Sequence, residues 1–170
     1  MRRRHLLAGA AAPLLLQGCG DVKPVVTFPS LAAARAAVQA AADGWRASGT
    51  WNLAQVLNHA AQSVEYSLKG FPEMKSALFR HTVGSAAFAV FDHRGAMSHG
   101  LDEPIPGAPA LAAGDALEPA IARLLQALRD FENFNGTLAP HFAYGALDKT
   151  QYTRAHLMHL ANHWTLVAKT

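Results

Sequence analysis

Three histidines lie on one face of the helix predicted near the C-terminus of this chain. His156, His159 and His163 stand three, four and seven residues apart, and residues at these spacings are neighbours on an α-helix. Tyr152 and Leu166 continue the same face, so we expect it to pack inside the protein. A buried imidazole without a partner costs on the order of 1–3 kcal/mol. Another polar helix face, or a metal ion, is therefore expected opposite.

A matching polar stripe is predicted on the second helix of the chain. Its members are Gln55, His59, Gln62, Ser63 and Tyr66. A metal held by imidazoles needs three or four protein ligands at roughly 2.0–2.1 Å, and His59 is the best third ligand. We therefore predict a divalent-metal site at His59, His159 and His163, with Zn, Ni, Fe and Mn not distinguished. The alternative is that these histidines only hydrogen-bond across the helices.

The catalytic residues are unknown from the sequence. Leu160 stands where the glutamate of a His-Glu-x-x-His zinc protease would be, so protease chemistry is disfavoured. No general base is evident on the helix faces, although Glu65, Tyr66 or Tyr144 could approach through tertiary structure.

The first 18 residues are typical of a bacterial export signal. Three arginines precede an apolar run that ends in Leu-Gln-Gly-Cys at Cys19, which resembles the lipobox of a lipoprotein. We expect residues 1–18 to be a signal peptide and residues 19–29 a lipidated tether. A lipid on Cys19 would anchor the protein in the cell envelope on the periplasmic side, at the outer membrane or the inner one. Two alternatives stay open, a plain secretory signal and twin-arginine export.

Charge and cysteine content limit the partners that we expect. The chain has 15 Lys and Arg against 12 Asp and Glu, and cleavage before Cys19 removes three arginines, which leaves 12 of each. A neutral domain without a basic patch is not typical of nucleic-acid binding. Cys19 is the only cysteine, so no intramolecular disulfide can form. The expected partners are a membrane, through the anchor, and a small-molecule ligand, and a homodimer stays open.

Four amphipathic helices are predicted in residues 30–170. The first is capped by Ser30 and ends at Gly49, with Trp45 on its apolar stripe. The other three begin with capping boxes formed by Asn52 with Gln55, Asp115 with Glu118, and Asp148 with Gln151. No strand pattern of useful length is present. We predict an all-α domain, an up-and-down four-helix bundle.

An additional helical segment and a proline-rich loop separate the second and third of these helices. Residues 74–94 are rich in Ala and Phe and are interrupted by Gly84, whereas the prolines within 99–114 exclude a helix interior. Three further histidines lie in or near this region, and we expect them at the surface or at a pocket entrance: His81, His93 and His99.

Three motifs carry a resemblance to a known group of proteins. They are Trp51 with Gln55-Val-Leu-Asn-His59-Ala-Ala-Gln62, Pro140-His141-Phe-Ala-Tyr-Gly145-Ala-Leu-Asp148, and His159-x-x-x-His163. They resemble the DinB/YfiT-like superfamily of metalloenzymes, and the loop Ser98–Pro109 is similar to that of the branch called domain of unknown function 1569. The resemblance implies a four-helix bundle that holds one divalent metal through His59, His159 and His163. The Pro-His order at His141 differs from the His-Pro form common in the superfamily.

Six residues are expected to line a pocket or to support the metal ligands rather than to bind the metal. They are His156, Gln55, Gln62, Tyr66, His141 and Tyr144. Three neutral imidazoles would leave an open coordination position for a small, partly polar ligand. This arrangement, together with the resemblance, implies a metal-dependent enzyme, transferase-like or hydrolase-like. The alternative is a non-catalytic envelope lipoprotein that binds a metal or a ligand.

Overall fold

The fold is known from a computed structural model that describes residues 26–170. The predicted signal peptide, Cys19 and most of the predicted tether lie outside the described residues. The elements in chain order are α1 Leu31–Ala40, β1 Trp45–Ala47, α2 Leu53–Lys69, α3 Ala77–Phe79, a π-helix Arg80–Gly84, α4 Ser85–Arg94, α5 Leu117–Asn133, α6 Lys149–Trp164 and β2 Val167–Lys169.

The described part of the chain is mostly helical, which confirms the predicted class. Helix α2 packs against α5 and α6, and α1 packs against the same two helices. The largest side chains that are completely buried between them include Tyr152, Phe131, Leu57 and Leu124. Burial of apolar surface supplies about 25 cal/mol per Å², so this shared core holds α2 and α6 in place. These are the two helices that carry the predicted metal ligands.

Two of the three predicted capping boxes are confirmed. Both reciprocal hydrogen bonds form between Asn52 and Gln55 at the start of α2, and between Asp148 and Gln151 at the start of α6. The prediction for Asp115 is wrong, because α5 begins at Leu117 without a side-chain cap. The Asp115 carboxylate instead accepts a hydrogen bond of 3.0 Å from the buried amide of Asn58 on α2.

A two-stranded antiparallel sheet, absent from the prediction, joins the α1–α2 connection to the end of the chain. Trp45 lies opposite Lys169, and α1 ends at Ala40 rather than at Gly49. Gly44, at φ 77°, permits the turn that redirects the chain. Trp45 contacts the Trp164 ring from this strand, with centroids 6.3 Å apart, so its apolar contact does not need a helix.

The segment predicted as a tether ends on the domain itself. Phe28 meets the Trp164 ring edge to face, with centroids 5.7 Å apart, and Val26 also packs against the core. Residues 26–29 therefore belong to the packed domain. Among residues 26–170, no helix combines the length and the apolar character needed to cross a membrane.

The additional helical segment continues through Gly84 instead of being interrupted there. Residues 80–84 form a π-helix, which links α3 to α4 without a break. Such wider turns are rare and are often found next to functional sites. Gly84 is buried against the turn that carries His141, since a Cβ atom at Gly84 would lie 1.8 Å from the Ala143 carbonyl oxygen. The glycine is therefore required by a close approach, not by a helix end.

Candidate metal centre

Helices α2 and α6 bring three imidazole nitrogens to one point. The Nε2 atom of His159 lies 3.1 Å from Nε2 of His59 and 3.1 Å from Nε2 of His163. One nitrogen from each ring lies within 4.8 Å of the other two. The i, i+4 spacing on α6 sets the second of these distances, and the packing of α2 on α6 sets the first.

This arrangement of nitrogens fits a divalent metal better than a hydrogen-bonded cluster. Metal–nitrogen bonds of roughly 2.0–2.1 Å in a tetrahedral site separate neighbouring ligand nitrogens by roughly 3.3–3.4 Å, close to the separations found here. The His159 Nε2 atom has either one proton or one in-plane lone pair, so it cannot form two good hydrogen bonds at once. The three-histidine cluster could therefore hold one divalent ion.

The three rings are neutral at physiological pH, which is the form that binds a metal. Burial, followed by the positive charge that nearby His99 would carry, lowers the pKa of His59 to about 4. Burial and the neighbouring histidines lower the pKa of His163 to about 3. The same two causes hold the pKa of His159 well below its usual value. Little proton competition with a metal is therefore expected near pH 7.

Trp51 orients two of the three candidate ligands. Its ring lies 4.9 Å from that of His59 and stacks nearly parallel to that of His163, at 6.2 Å between centroids. Histidine ligands usually donate the proton of their second nitrogen to a neighbouring group. The Nδ1 atoms of His59 and His163 are buried and have no such partner among residues 26–170. Contact with Trp51, rather than a hydrogen bond at Nδ1, therefore orients the rings of His59 and His163.

His99 is a fourth histidine at the cluster, although the sequence predicted it only at the surface or at a pocket entrance. Its ring centroid lies 4.9 Å from that of His159 and 5.3 Å from that of His163. The Nδ1–H group donates to the Gly100 carbonyl at 2.7 Å, which leaves the Nε2 lone pair free. His81 and His93 are exposed. Only the proline-rich loop around His99 could have indicated its position, because no helical spacing relates it to the other histidines.

A cavity of about 210 Å³ opens from the candidate metal ligands. His59 and His159 line one part of it, and three of the residues predicted as pocket residues line another: His141, Tyr144 and His156. Pro104 and Ile105 of the proline-rich loop complete the wall together with Phe142. The cavity is large enough for a small molecule that reaches from the metal ligands to His141 and His156.

A known protein family matches the part of the chain that forms the cluster and the cavity. A family model described as protein of unknown function (DUF1569) matches residues 22–170. The chain belongs to the DUF1569 family. No curated protein and no solved structure matches it. The matched range contains every described helix, so the histidine cluster and its cavity are parts of a DUF1569 domain.

The two glutamines of the polar stripe hold the loop of this DUF1569 domain and do not line its cavity. Gln55 donates to the Leu111 carbonyl at 3.0 Å, and Gln62 donates to the Pro109 carbonyl at 3.1 Å. Tyr66 packs against Phe71, with ring centroids 5.7 Å apart, and is likewise absent from the cavity wall. The loop covers this side of α2 and presents carbonyl groups that match the buried amides. Helical spacing alone could not predict that the loop packs over this side of α2.

Glu65, the one carboxylate considered above as a general base, does not line the cavity. Glu65 forms a bidentate pair with Arg123 of α5, at 2.7 and 3.0 Å, which lowers the pKa of its carboxyl group despite partial burial. Asp102 accepts a hydrogen bond from Thr50. Glu103 is exposed but lines the cavity beside His99. It is the one carboxylate in the cavity wall of the described domain.

Proposed function

We propose that this protein is a DinB-like metal-dependent enzyme. Its four main helices, α1, α2, α5 and α6, would form the superfamily's bundle, and one divalent ion would be held by His59, His159 and His163. The enzyme would act on a small molecule in a transferase-like or hydrolase-like reaction. The observation that carries the proposal is the convergence of three Nε2 atoms, those of His59, His159 and His163, beside an open cavity that the first two residues line.

The open cavity favours a catalytic site over a purely structural one. Structural zinc sites are closed by four protein ligands, whereas catalytic sites keep a position for water or substrate. His59 and His159 both line the cavity, so a molecule inside it would reach the ligands directly. A bound divalent ion would act there as a Lewis acid.

The residues of the chain would supply binding and orientation. Apolar groups of the loop, among them Ile105 and Pro106, would exclude water from one side of a substrate. Two exposed residues of the cavity wall, Lys75 and Glu103, carry opposite charges. Stacking on Trp51 would keep the His59 and His163 rings in the ligating orientation. An oriented set of this kind is what a metal-dependent reaction needs from its protein.

Cobalt substitution tests this proposal. Purified protein, first freed of metal, is loaded with Co²⁺ and its visible absorption spectrum is recorded before and after addition of a small thiol. We expect one equivalent of bound Co²⁺ in a low-symmetry site whose spectrum changes with thiol, because a coordination position is open. A screen of thiol-transfer and hydrolase substrates follows. One bound ion with no spectral response and no turnover would instead favour a non-catalytic, metal-binding protein.

We further propose that the protein is a lipoprotein of the cell envelope, anchored through Cys19 on the periplasmic side. The Leu-Gln-Gly-Cys ending of an apolar N-terminal run supports this proposal. Cys19→Ser is expected to leave the protein unlipidated and uncleaved. Mass spectrometry of the membrane fraction measures both changes. A variant of the same processed mass and the same partition into detergent as the wild type would contradict the anchor.

A further inference from the structure

The turn that follows His141 fixes the tautomer of its neutral ring. Its Nδ1 atom accepts hydrogen bonds from the backbone N–H groups of Ala143 and Tyr144, each at 3.2 Å. A nitrogen that accepts two hydrogen bonds has no proton, so the proton of the neutral ring is on Nε2. The ring is also stacked on Tyr144, with centroids 4.2 Å apart and planes 6° from parallel. His141 therefore offers a donor at Nε2.

The His156 ring has the same tautomer, but the nitrogen that it leaves free is an acceptor rather than a donor. The Ser67 hydroxyl donates to the Val64 carbonyl at 2.6 Å, so its oxygen must accept from Nε2–H of His156, at 3.2 Å. Nδ1 of His156 then carries a lone pair, and it has no hydrogen-bond partner among residues 26–170. The residue is only 5 % exposed and lines the cavity. His156 therefore offers an acceptor at Nδ1.

Both rings are uncharged at physiological pH and belong to the same cavity wall. Burial lowers the pKa of His156 to about 3. Burial, followed by the charge that His156 would carry, also lowers the pKa of His141 to about 3. The Tyr152 ring contacts both of them, with its centroid 6.2 Å from that of His141 and 5.3 Å from that of His156. The two rings thus offer one N–H donor and one lone-pair acceptor, and both residues line the cavity.

We propose that Nε2–H of His141 and Nδ1 of His156 bind an uncharged group of the substrate that both donates and accepts a hydrogen bond, namely a primary amide or a hydroxyl. Such a group satisfies both nitrogens at once. A carboxylate can accept from His141 but would turn a second lone pair toward His156, which is unfavourable in a buried site. A ketone would leave His156 without a donor. The inference rests on the proposed function only in calling the bound molecule a substrate.

Two substitutions remove the nitrogen that is proposed to bind the substrate and keep the structural hydrogen bond. In His141→Asn the side-chain oxygen can replace Nδ1 as the acceptor of the turn, while the Nε2–H donor is lost. In His156→Gln the amide can replace Nε2–H as the donor to Ser67, while the Nδ1 acceptor is lost. His81→Asn, at an exposed position, is the matched control.

The test uses three small probes and protein labelled with ¹⁵N at histidine. Propionamide, propionate and acetone are titrated into the wild type, the two variants and the control, and the imidazole signals are followed by NMR. The protein is used as purified and again after addition of Zn²⁺. We expect propionamide to shift the His141 and His156 ring signals and to bind at least tenfold more tightly than the other two probes. Each variant should weaken propionamide binding by about tenfold, the effect of one hydrogen bond.

The outcomes separate this inference from the proposed function. Equal binding of propionamide and acetone, or unchanged propionamide binding in either variant, would overturn the donor–acceptor site whether or not zinc binds. A tenfold preference for propionamide in protein that takes up no Zn²⁺ would support the site and contradict the metal proposal. Unaltered spectra away from the cavity in His141→Asn and His156→Gln confirm that both variants are folded.

Discussion

Gly84 of the π-helix touches the turn that carries His141, at the carbonyl group of Ala143. A Cβ atom at Gly84 would lie 1.8 Å from the oxygen and 2.9 Å from the carbon of that group. No side chain fits at such distances, so the backbone of one segment must move if a larger residue is introduced. The N–H group of Ala143 is also one of the two donors to His141. The π-helix therefore controls the position of a cavity residue.

We predict that Gly84→Ala destabilises the protein although alanine favours helices. Overpacking costs about 1–3 kcal/mol, which outweighs the gain of up to about 1 kcal/mol in helix propensity. Urea unfolding measures the change. Gly114→Ala is the control, because a Cβ atom there meets nothing within 4 Å. Equal stability of the two variants would contradict the close approach.

The loop over the cavity is predicted to depend on the Gln62 amide. Gln62→Leu removes the donor to the Pro109 carbonyl, a cost of about 1 kcal/mol, and leaves the metal ligands in place. Faster amide hydrogen exchange in residues 99–114, with unchanged metal content, is the expected result. Gln126→Leu, on the exposed face of α5, provides the control. Equal loop exchange in both variants would show that Gln62 does not hold the loop.

Acid is predicted to destabilise the metal-free protein through its buried histidines. In the unfolded chain a histidine has a pKa near 6.5, whereas burial lowers the pKa of His156 to about 3 in the native state. The unfolded state therefore binds more protons between these values, and stability present above pH 6.5 is lost as the pH falls toward 3. At pH 5 the loss is on the order of 2 kcal/mol for such a group.

The contribution of His156 can be isolated by urea unfolding at pH 7 and pH 5. His156→Gln keeps a donor to Ser67 but has no titrating group, so it should lose less stability between the two pH values than the wild type. His81→Gln should behave like the wild type, because His81 is exposed. An identical loss in all three proteins would show that protonation of His156 does not drive the acid effect.

The features that local chemistry decides were predictable from the sequence. Reciprocal capping bonds need only residues three apart, so the starts of α2 and α6 were predicted correctly. The i, i+4 pair on α6 and the polar face of α2 likewise indicated which imidazoles would meet. These relationships follow from helix geometry, and the tertiary structure had only to bring two helices together.

The features that depend on distant contacts were not predictable. Strands β1 and β2 have only three residues each, which is too short to show an alternating pattern of apolar and polar residues. The two strands are also separated by more than a hundred residues in the sequence. The place of His99 depends on how the proline-rich loop folds over α2, and the roles of Gln55 and Gln62 depend on the same cover. Asp115 does not cap α5, because its carboxylate accepts a hydrogen bond from Asn58 instead. For Asp115, a tertiary hydrogen bond replaced the local cap that the sequence predicted.

The metal content of His159→Ala, His163→Ala double-variant protein tests the central proposal most directly. Wild type, double variant and a His81→Ala control are purified without added chelator, and bound metals are measured by inductively coupled plasma mass spectrometry together with the melting temperature. We predict about one equivalent of divalent metal in the wild type and the control. The double variant should lose that metal, and chelator should lower the melting temperature only where metal was bound, since binding to the native state stabilises it. Full metal content in the double variant would contradict the three-histidine site.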